Sequence, residues 1–338
     1  MNAAQNSQQG PWQDIWTLAE QKEGRLHPVS FELLGRGRTL ADARKNRLCT
    51  VIIGSQVDDK DVQELFERGA DRVYLVDHPV LRVFLVEPYA RILRRLIETY
   101  HPEVVIAAAT TTGRTVLPYV SAQIRAGLTA DCTGLEIDAE TGRLLQTRPA
   151  IGGNILATIQ TPDARPQMAT VRPKSTRLPD RIPGRSGEII NIRQVEQLLE
   201  SRVVFEKYIP DETGCASIED ADIVVAGGSG VKKAEGFQLL EQLANRLGGA
   251  LGASRPCVDH GWQPYPHQVG LSGKTISPRL YFACGISGAI QHLAGIQTAE
   301  SIIAINSDPN APIFQVADLG IVGNMFDILP AIIERLEK

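Results

Sequence analysis

Short, unbroken apolar runs alternating with longer amphipathic stretches constrain this chain more than any other feature. Leu48 to Gly54 (LCTVIIG), Arg72 to Asp77 (RVYLVD) and Val104 to Thr110 have the length of strands. They lack the strict polar alternation of a strand with one wet face. Asp14 to Ala19 (DIWTLA) reads as the opening strand. Asp58 to Arg68, Glu87 to Tyr100 and Thr115 to Ala126 read as helices. Buried strands separated by helices of this length predict an α/β fold, with a mostly parallel sheet covered on both faces.

After Gly127 the pattern changes. Cys132 to Asp138, Leu144 to Thr147, Ile155 to Thr161, Gln167 to Arg172 and Glu188 to Ile192 read as strands without intervening helices. Gly142, Gly152, Gly153, Pro162 and Pro173 punctuate them. This predicts antiparallel strands added to the sheet. The Pro-, Arg- and Ser-rich segment from Arg172 to Gly187 predicts an exposed loop. A boundary falls between Ile192 and Ser217, giving an N-terminal α/β domain (1–205) and a C-terminal domain (206–338). The second domain shows strand Asp222 to Ala226, helix Lys233 to Leu247, strand Leu280 to Cys284 and helix Ala289 to Ala294. Strand Ser301 to Asn306 and helix Met325 to Glu337 complete it.

Composition removes several classes of function. Of 338 residues, 43% are hydrophobic and 22% charged, enough apolar material for two cores. Thirty-five basic against 39 acidic residues, a net charge of -4, give no general attraction to nucleic acid. Val104 to Ala109, the longest strongly apolar run, is too short for direct membrane insertion, and Met1 to Gln13 lacks the apolar core of a signal peptide. Cys49, Cys132, Cys215, Cys257 and Cys284 are scattered and form no CxxC pair. They fit buried thiols in a reducing, cytoplasmic setting better than a disulfide frame or a metal site.

Three turns in the second domain follow predicted strands. Val224-Val225-Ala226-Gly227-Gly228-Ser229-Gly230 either cradles a phosphate on backbone N–H groups or is a structural turn. In Cys284-Gly285-Ile286-Ser287-Gly288-Ala289-Ile290-Gln291-His292, Ser287 and Gly288 read as an N-cap region. That places Gln291 and His292 early in a helix, where His292 is either a satisfied core residue or faces developing negative charge beside the helix's positive end. Ile303-Ala304-Ile305-Asn306-Ser307-Asp308-Pro309 ends in polar residues, either a ligand edge or an Asx turn made by Asn306.

Gly248-Gly249-Ala250-Leu251-Gly252-Ala253-Ser254-Arg255, Gln268-Val269-Gly270-Leu271-Ser272-Gly273-Lys274, Leu280 to Gly295 and Ala304 to Gly323 resemble the alpha subunits of electron-transfer flavoproteins. The CGISGAIQHLAG stretch is the most specific of these. Looser similarity, including Leu128-Thr129-Ala130-Asp131-Cys132-Thr133, extends the resemblance over the first domain.

The resemblance implies a Rossmann-like C-terminal domain that binds FAD in an extended pose and passes electrons singly. It implies Ser254 and Arg255 near the isoalloxazine and Val269, Gly270, Leu271 and Ser272 along it. Gly285, Ser287, Gly288, Ala289, Ile290, Gln291 and His292 would cradle the flavin and ribityl chain. Asn306, Asn324 and Met325 would lie toward the adenosine end. A reduced flavin gathers negative charge along N1 and O2, so Arg255, Ser272 and His292 are the expected tuning residues. No residue is expected to be catalytic in its own right, and no metal is expected. Ser229 stands where the family usually has arginine, Leu271 where it has glutamine, Ser272 where it has threonine and Asn324 where it has aspartate. Ser229 thus drops a charge-assisted contact, whereas Ser272 and Asn324 keep hydrogen-bonding groups.

The resemblance also implies partners. These are an electron-transfer flavoprotein beta subunit, docked on the first domain and its Arg172 to Gly187 loop, and an acyl-CoA or other dehydrogenase as redox partner. NADH would be a further electron source through the beta subunit. The chain would be an electron-carrier subunit rather than a stand-alone enzyme, with its second domain swivelling between partners. Asn154 to Ile159 and Leu128 to Cys132 resemble members that bifurcate electrons. The alternative is a nucleotide-binding sensor or assembly module that has lost flavin redox function. A nicotinamide dehydrogenase is disfavoured, since no GxGxxG follows the first strand.

Overall fold

The computed structural model describes residues 12–150, 155–207 and 217–336. Gly152, Gly153, Asn154 and Cys215 lie outside the described residues. The chain divides into two compact units, Met1–Lys207 and Tyr208–Lys338.

In the first unit, strands β1 (Gln13–Ala19), β2 (Gln21–Lys22) and β3 (Arg25–Leu26) lead into helix α1 (Pro28–Arg44). Strand β4 (Leu48–Gly54), helix α2 (Asp59–Glu67), strand β5 (Arg72–Asp77), helix α3 (Val86–Tyr100), strand β6 (Pro102–Ala108) and helix α4 (Thr111–Ile124) continue the alternation. Strands β7 (Leu128–Cys132), β8 (Gly134–Ile137), β9 (Leu144–Pro149), β10 (Leu156–Ile159), β11 (Gln167–Val171) and β12 (Glu188–Asn191) follow. A seven-stranded sheet in the order β12-β5-β4-β1-β6-β11-β7 is parallel throughout. Adjacent residues of one strand feed opposite cores, as an alternating pleat requires. Ile15, Leu48 and Ile52 pack with Leu34, Leu40 and Leu65 on one face. Trp16, Val51 and Ile53 pack with Leu93, Val116 and Leu117 on the other.

Helix α1 and the pairing of the later strands differ from the sequence expectation, which also did not include β7 or the strands at Ala250–Ser254, Gln268–Val269 and Leu319–Val322. Helix α1, 17 residues long, escapes the periodicity because its buried positions are dispersed and Gly35 and Gly37 interrupt it. Packing explains Gly37: a Cβ there would lie 2.6 Å from Leu48 Cδ1. The antiparallel strands are present, but β8, β9 and β10 form a separate three-stranded sheet, whereas β7, β11 and β12 join the main sheet in parallel. The segment after β11 is a largely exposed loop, pinned by Arg181 Nε to Glu67 Oε2 at 2.8 Å and by Arg185 Nη2 to Asp71 Oδ1 at 2.7 Å.

The second unit contains strand β13 (Ile223–Gly227), helix α5 (Phe237–Leu247), strand β14 (Ala250–Ser254), helix α6 (Arg255–Asp259) and strand β15 (Gln268–Val269). Strand β16 (Leu280–Cys284), helix α7 (Ile290–Leu293), strands β17 (Ser301–Asn306) and β18 (Leu319–Val322) and helix α8 (Met325–Leu336) complete it. The sheet order β15-β14-β13-β16-β17-β18 is parallel throughout, which is the Rossmann-like arrangement. Tyr281 and Ala283 pack on one face of the sheet; Phe282 and Cys284 pack on the other. No helix among the described residues is long and apolar enough to cross a membrane.

Candidate cofactor site

In an open parallel sheet the strands all end on one side, and ligands gather where the winding direction reverses. Here that reversal lies between β13 and β16. The singled-out residues follow the carboxyl ends of the six strands: Ser229 after β13, Ser254–Arg255 at β14, Val269–Ser272 at β15, Gly285–His292 after β16, Asn306 at β17 and Asn324–Met325 after β18. One edge of one sheet therefore collects residues spread over almost the whole unit.

The β13 turn braces the turn after β16. Gly228 N donates to Cys284 O at 2.9 Å and Gly230 N to Gly285 O at 3.0 Å, while Val231 N and Lys232 N bond within the turn. Those four amides are spent on protein carbonyls, whereas among the described residues the Ser229 amide donates no backbone hydrogen bond. Glycine is required here by contact: a Cβ on Gly228 would sit 2.3 Å from Gly285 O. Ser229 remains exposed at the tip.

The segment after β16 behaves differently. Among the described residues, the amides of Ser287, Gly288, Ala289 and Ile290 donate no backbone hydrogen bond. Ser287, Ala289 and Ile290 are exposed. Ser287 and Gly288 are not the helix cap expected from sequence. Helix α7 starts only at Ile290 and spans four residues, with Ala289 before it offering no side-chain cap. Gly288 adopts φ +87, and a Cβ there would lie 2.3 Å from Ile313 N. The result is a strip of uncommitted donors where an acceptor-rich ligand would lie.

Beside this strip runs the loop after β15. Leu271 N donates to Gln291 O at 2.7 Å, and Gly270 N and O close the turn onto Lys274 and Gly273. A Cβ on Gly270 would approach Gln291 O to 2.9 Å, so the two segments touch backbone to backbone. Ser272 Oγ accepts from Gln268 Nε2 at 3.1 Å, leaving the exposed hydroxyl's own proton to be donated. Leu271 is 72% exposed and brings no hydrogen bond from its side chain.

Ser254 is buried and its hydroxyl meets Cys257 Sγ at 3.4 Å. Arg255 points outward, with Asp259 Oδ2 3.4 Å from its Nε. Both members of that pair are well exposed, so the ion pair holds the guanidinium weakly and leaves its charge usable.

His292 is buried, with Nε2 sharing a 2.8 Å hydrogen bond with the Tyr281 hydroxyl. Its Nδ1 is also buried and makes no hydrogen bond of normal geometry. Burial pushes the imidazole pKa down to about 4, opposed by the Val269 backbone. The ring is therefore neutral near pH 7 and turned into the fold. Of the two placements the sequence left open for His292, the structure has the ring buried against Tyr281 rather than presented at the open edge.

At the far end, Asn306 Nδ2 donates to Ile286 O at 2.8 Å and its Oδ1 accepts from Asp308 N at 3.0 Å, so the Asx turn is present. Asn324 Oδ1 accepts from Phe326 N at 3.2 Å, in the manner of an N-cap for α8. Met325 packs its side chain into the core with Leu329, so only its backbone faces the edge. Gln268 and Tyr281, which support Ser272 and His292, were not singled out from sequence. A glutamine and a tyrosine inside short apolar strands are the only trace they leave there.

The donor set fits an extended dinucleotide: free amides, an exposed hydroxyl, an exposed guanidinium and glycines that admit close approach. Comparison with known proteins agrees. A family model described as the electron transfer flavoprotein domain matches residues 15–196, and one described as the electron transfer flavoprotein FAD-binding domain matches residues 217–297. The chain is 46% identical over 327 residues to an electron transfer flavoprotein subunit alpha of Thermoanaerobacterium thermosaccharolyticum, covering 97% of this chain and 98% of that one. It is 44% identical to the corresponding subunit of Megasphaera elsdenii, covering 97% of each. A FixB protein of Azorhizobium caulinodans is also 44% identical, covering 96% of this chain and 88% of that one.

Proposed function

The chain belongs to the electron transfer flavoprotein alpha-subunit family, and we infer that the carboxyl edge of its second sheet is where it holds FAD. Alpha subunits of this family pair with a beta subunit, and the second unit carries the family's FAD-binding domain. Bound FAD supplies the one-electron chemistry; the chain's own residues bind and orient it.

The observation that carries the site reading is the free amide strip Ser287–Ile290 beside the Ser272 hydroxyl. The amides and Ser272 donate to the ring system and ribityl chain. Val269 and Gly270 form an apolar, close-packed floor, and Gly285 and Gly288 let the backbone approach. Arg255 provides the positive charge, since His292 is neutral. His292 and Met325 serve through their backbones and packing, and Ser254, Leu271, Gln291, Asn306 and Asn324 line the path. Ser229 offers a hydroxyl where an arginine would add charge.

Electrons would enter from a dehydrogenase, an acyl-CoA dehydrogenase among the candidates, or from NADH through the beta subunit, and leave to a second oxidoreductase. The first unit would dock the beta subunit. Buried free thiols at Cys49, Cys132, Cys257 and Cys284 support a reducing, cytoplasmic setting.

The deciding experiment is the absorption spectrum and nucleotide content of the chain copurified with its beta subunit. Flavin bands that bleach on reduction, and that weaken in Ser272→Ala, are the expected result. Two FAD per heterodimer would extend the reading to electron bifurcation, and one FAD with AMP would exclude it. A colourless complex that FAD cannot reconstitute would replace this reading by the sensor or assembly role.

A further inference from the structure

Three strands and loops that carry the candidate flavin contacts meet at one buried polar contact. Tyr281 is fully buried on β16 and its hydroxyl lies 2.8 Å from His292 Nε2 on α7. The rings themselves are 6.1 Å apart between centroids, so the hydroxyl rather than ring stacking makes the link. His292 Nδ1 is equally buried, beside the Val269 backbone of β15. From there the chain runs directly into Gly270, whose absent Cβ would lie 3.4 Å from His292 Cα, and into Leu271, whose amide bonds Gln291 O. A neutral imidazole carries one proton, and the partner of one nitrogen decides where it sits.

We propose that Tyr281 is a positioning residue for flavin binding: its hydroxyl donates to His292 Nε2, places the imidazole proton on Nδ1 toward the Val269 backbone, and so fixes the Gly270–Ser272 loop against the Ser287–Gln291 strip. The inference rests on the reading of those two segments as the walls of the FAD site. The phenolic proton has no competing acceptor among the hydrogen bonds described for Tyr281. The Val269 backbone beside Nδ1 favours the protonated imidazole, as a carbonyl acceptor of an Nδ1 proton does. Preorganised walls bind a ligand more tightly because less order is imposed on binding.

The test uses the full chain with its beta subunit, labelled with nitrogen-15 histidine, the His292 signals assigned from their loss in His292→Gln. In the wild type the expected spectrum shows a protonated Nδ1 and an acceptor Nε2. Tyr281→Phe, which keeps the ring and removes only the hydroxyl, should move the proton toward Nε2 and weaken FAD binding on the order of tenfold, the effect of one buried hydrogen bond. A wild-type proton on Nε2 overturns the proposal without any variant. So does a tautomer shift in Tyr281→Phe with FAD affinity unchanged. Unchanged FAD affinity in both Ser272→Ala and His292→Gln would instead overturn the site reading beneath it.

Discussion

Gln268 Nε2 donates to Ser272 Oγ at 3.1 Å across a tight turn closed by Gly270 and Lys274. The contact fills an acceptor site on the serine oxygen and leaves its proton directed outward, so Gln268 orients a donor it does not itself supply. Ser272→Ala should raise the FAD dissociation constant by about five- to tenfold, the net effect of one hydrogen bond. Ser272→Thr should restore it. Gln268→Leu should produce a smaller loss in the same direction, because the hydroxyl survives but rotates freely. Fluorescence titration with FAD measures all three, and equal affinity in wild type and Ser272→Ala removes Ser272 from the site.

Arg255 is an exposed positive charge at this edge, with a 3.4 Å contact to the equally exposed Asp259. A fixed cation near the flavin stabilises its reduced, negatively charged form. Arg255→Gln should therefore lower the flavin reduction potential by about 20–60 mV, the scale of a partly screened charge. Arg255→Lys should lower it less. Raising the salt concentration should shrink the difference between wild type and Arg255→Gln. A potential that does not move, measured by spectroelectrochemistry, would place Arg255 away from the ring.

The sequence disclosed the edge better than the interior. β4, β5, β16 and β17 were legible as apolar runs, and the glycines and polar residues behind β13, β16 and β17 marked their ends. α1 was hidden by its two glycines, Gly37 packed against Leu48 and Gly35 against the Arg177 carbonyl. β14 was hidden because ALGAS carries almost no β-forming bulk, its small residues being set by Ala226 and Val269 beside Gly252. Within the candidate site, the sequence does not disclose which way the side chains turn. That His292 turns inward depends on Tyr281 eleven residues earlier, and a contact between two buried side chains leaves no periodic signal.

The two turns at the winding reversal meet backbone to backbone, with Gly228 and Gly230 against Gly285. A Cβ on Gly228 would lie 2.3 Å from Gly285 O and 2.7 Å from Ile286 Cα, both backbone atoms that no rotamer change can move. Gly228→Ala should cost about 2–4 kcal/mol of stability and abolish FAD retention. Gly248→Ala is the informative comparison. Its added Cβ would meet nothing within 4 Å, and only its φ of +64 penalises the change. It should cost about 1 kcal/mol and leave FAD binding intact. Chemical denaturation and flavin content distinguish the two; equal losses would mean that backbone strain rather than the inter-turn contact decides.

His292 makes stability depend on pH in a definite direction. Its folded pKa is lowered to about 4 by burial, below the ordinary value near 6.5 of an unfolded chain. Between those values the unfolded state binds more protons than the folded one, so stability falls as the pH drops through that window and is fully present above it. Acidification from pH 7 to pH 4.5 should therefore cost the flavin-free chain up to about 3 kcal/mol through this residue. In His292→Gln the pH 7 stability is lower, because Tyr281 loses its partner, but the slope over this window should be shallower. Urea unfolding followed at several pH values reads both. An unchanged slope would mean that His292 titrates normally and that its ring reaches water.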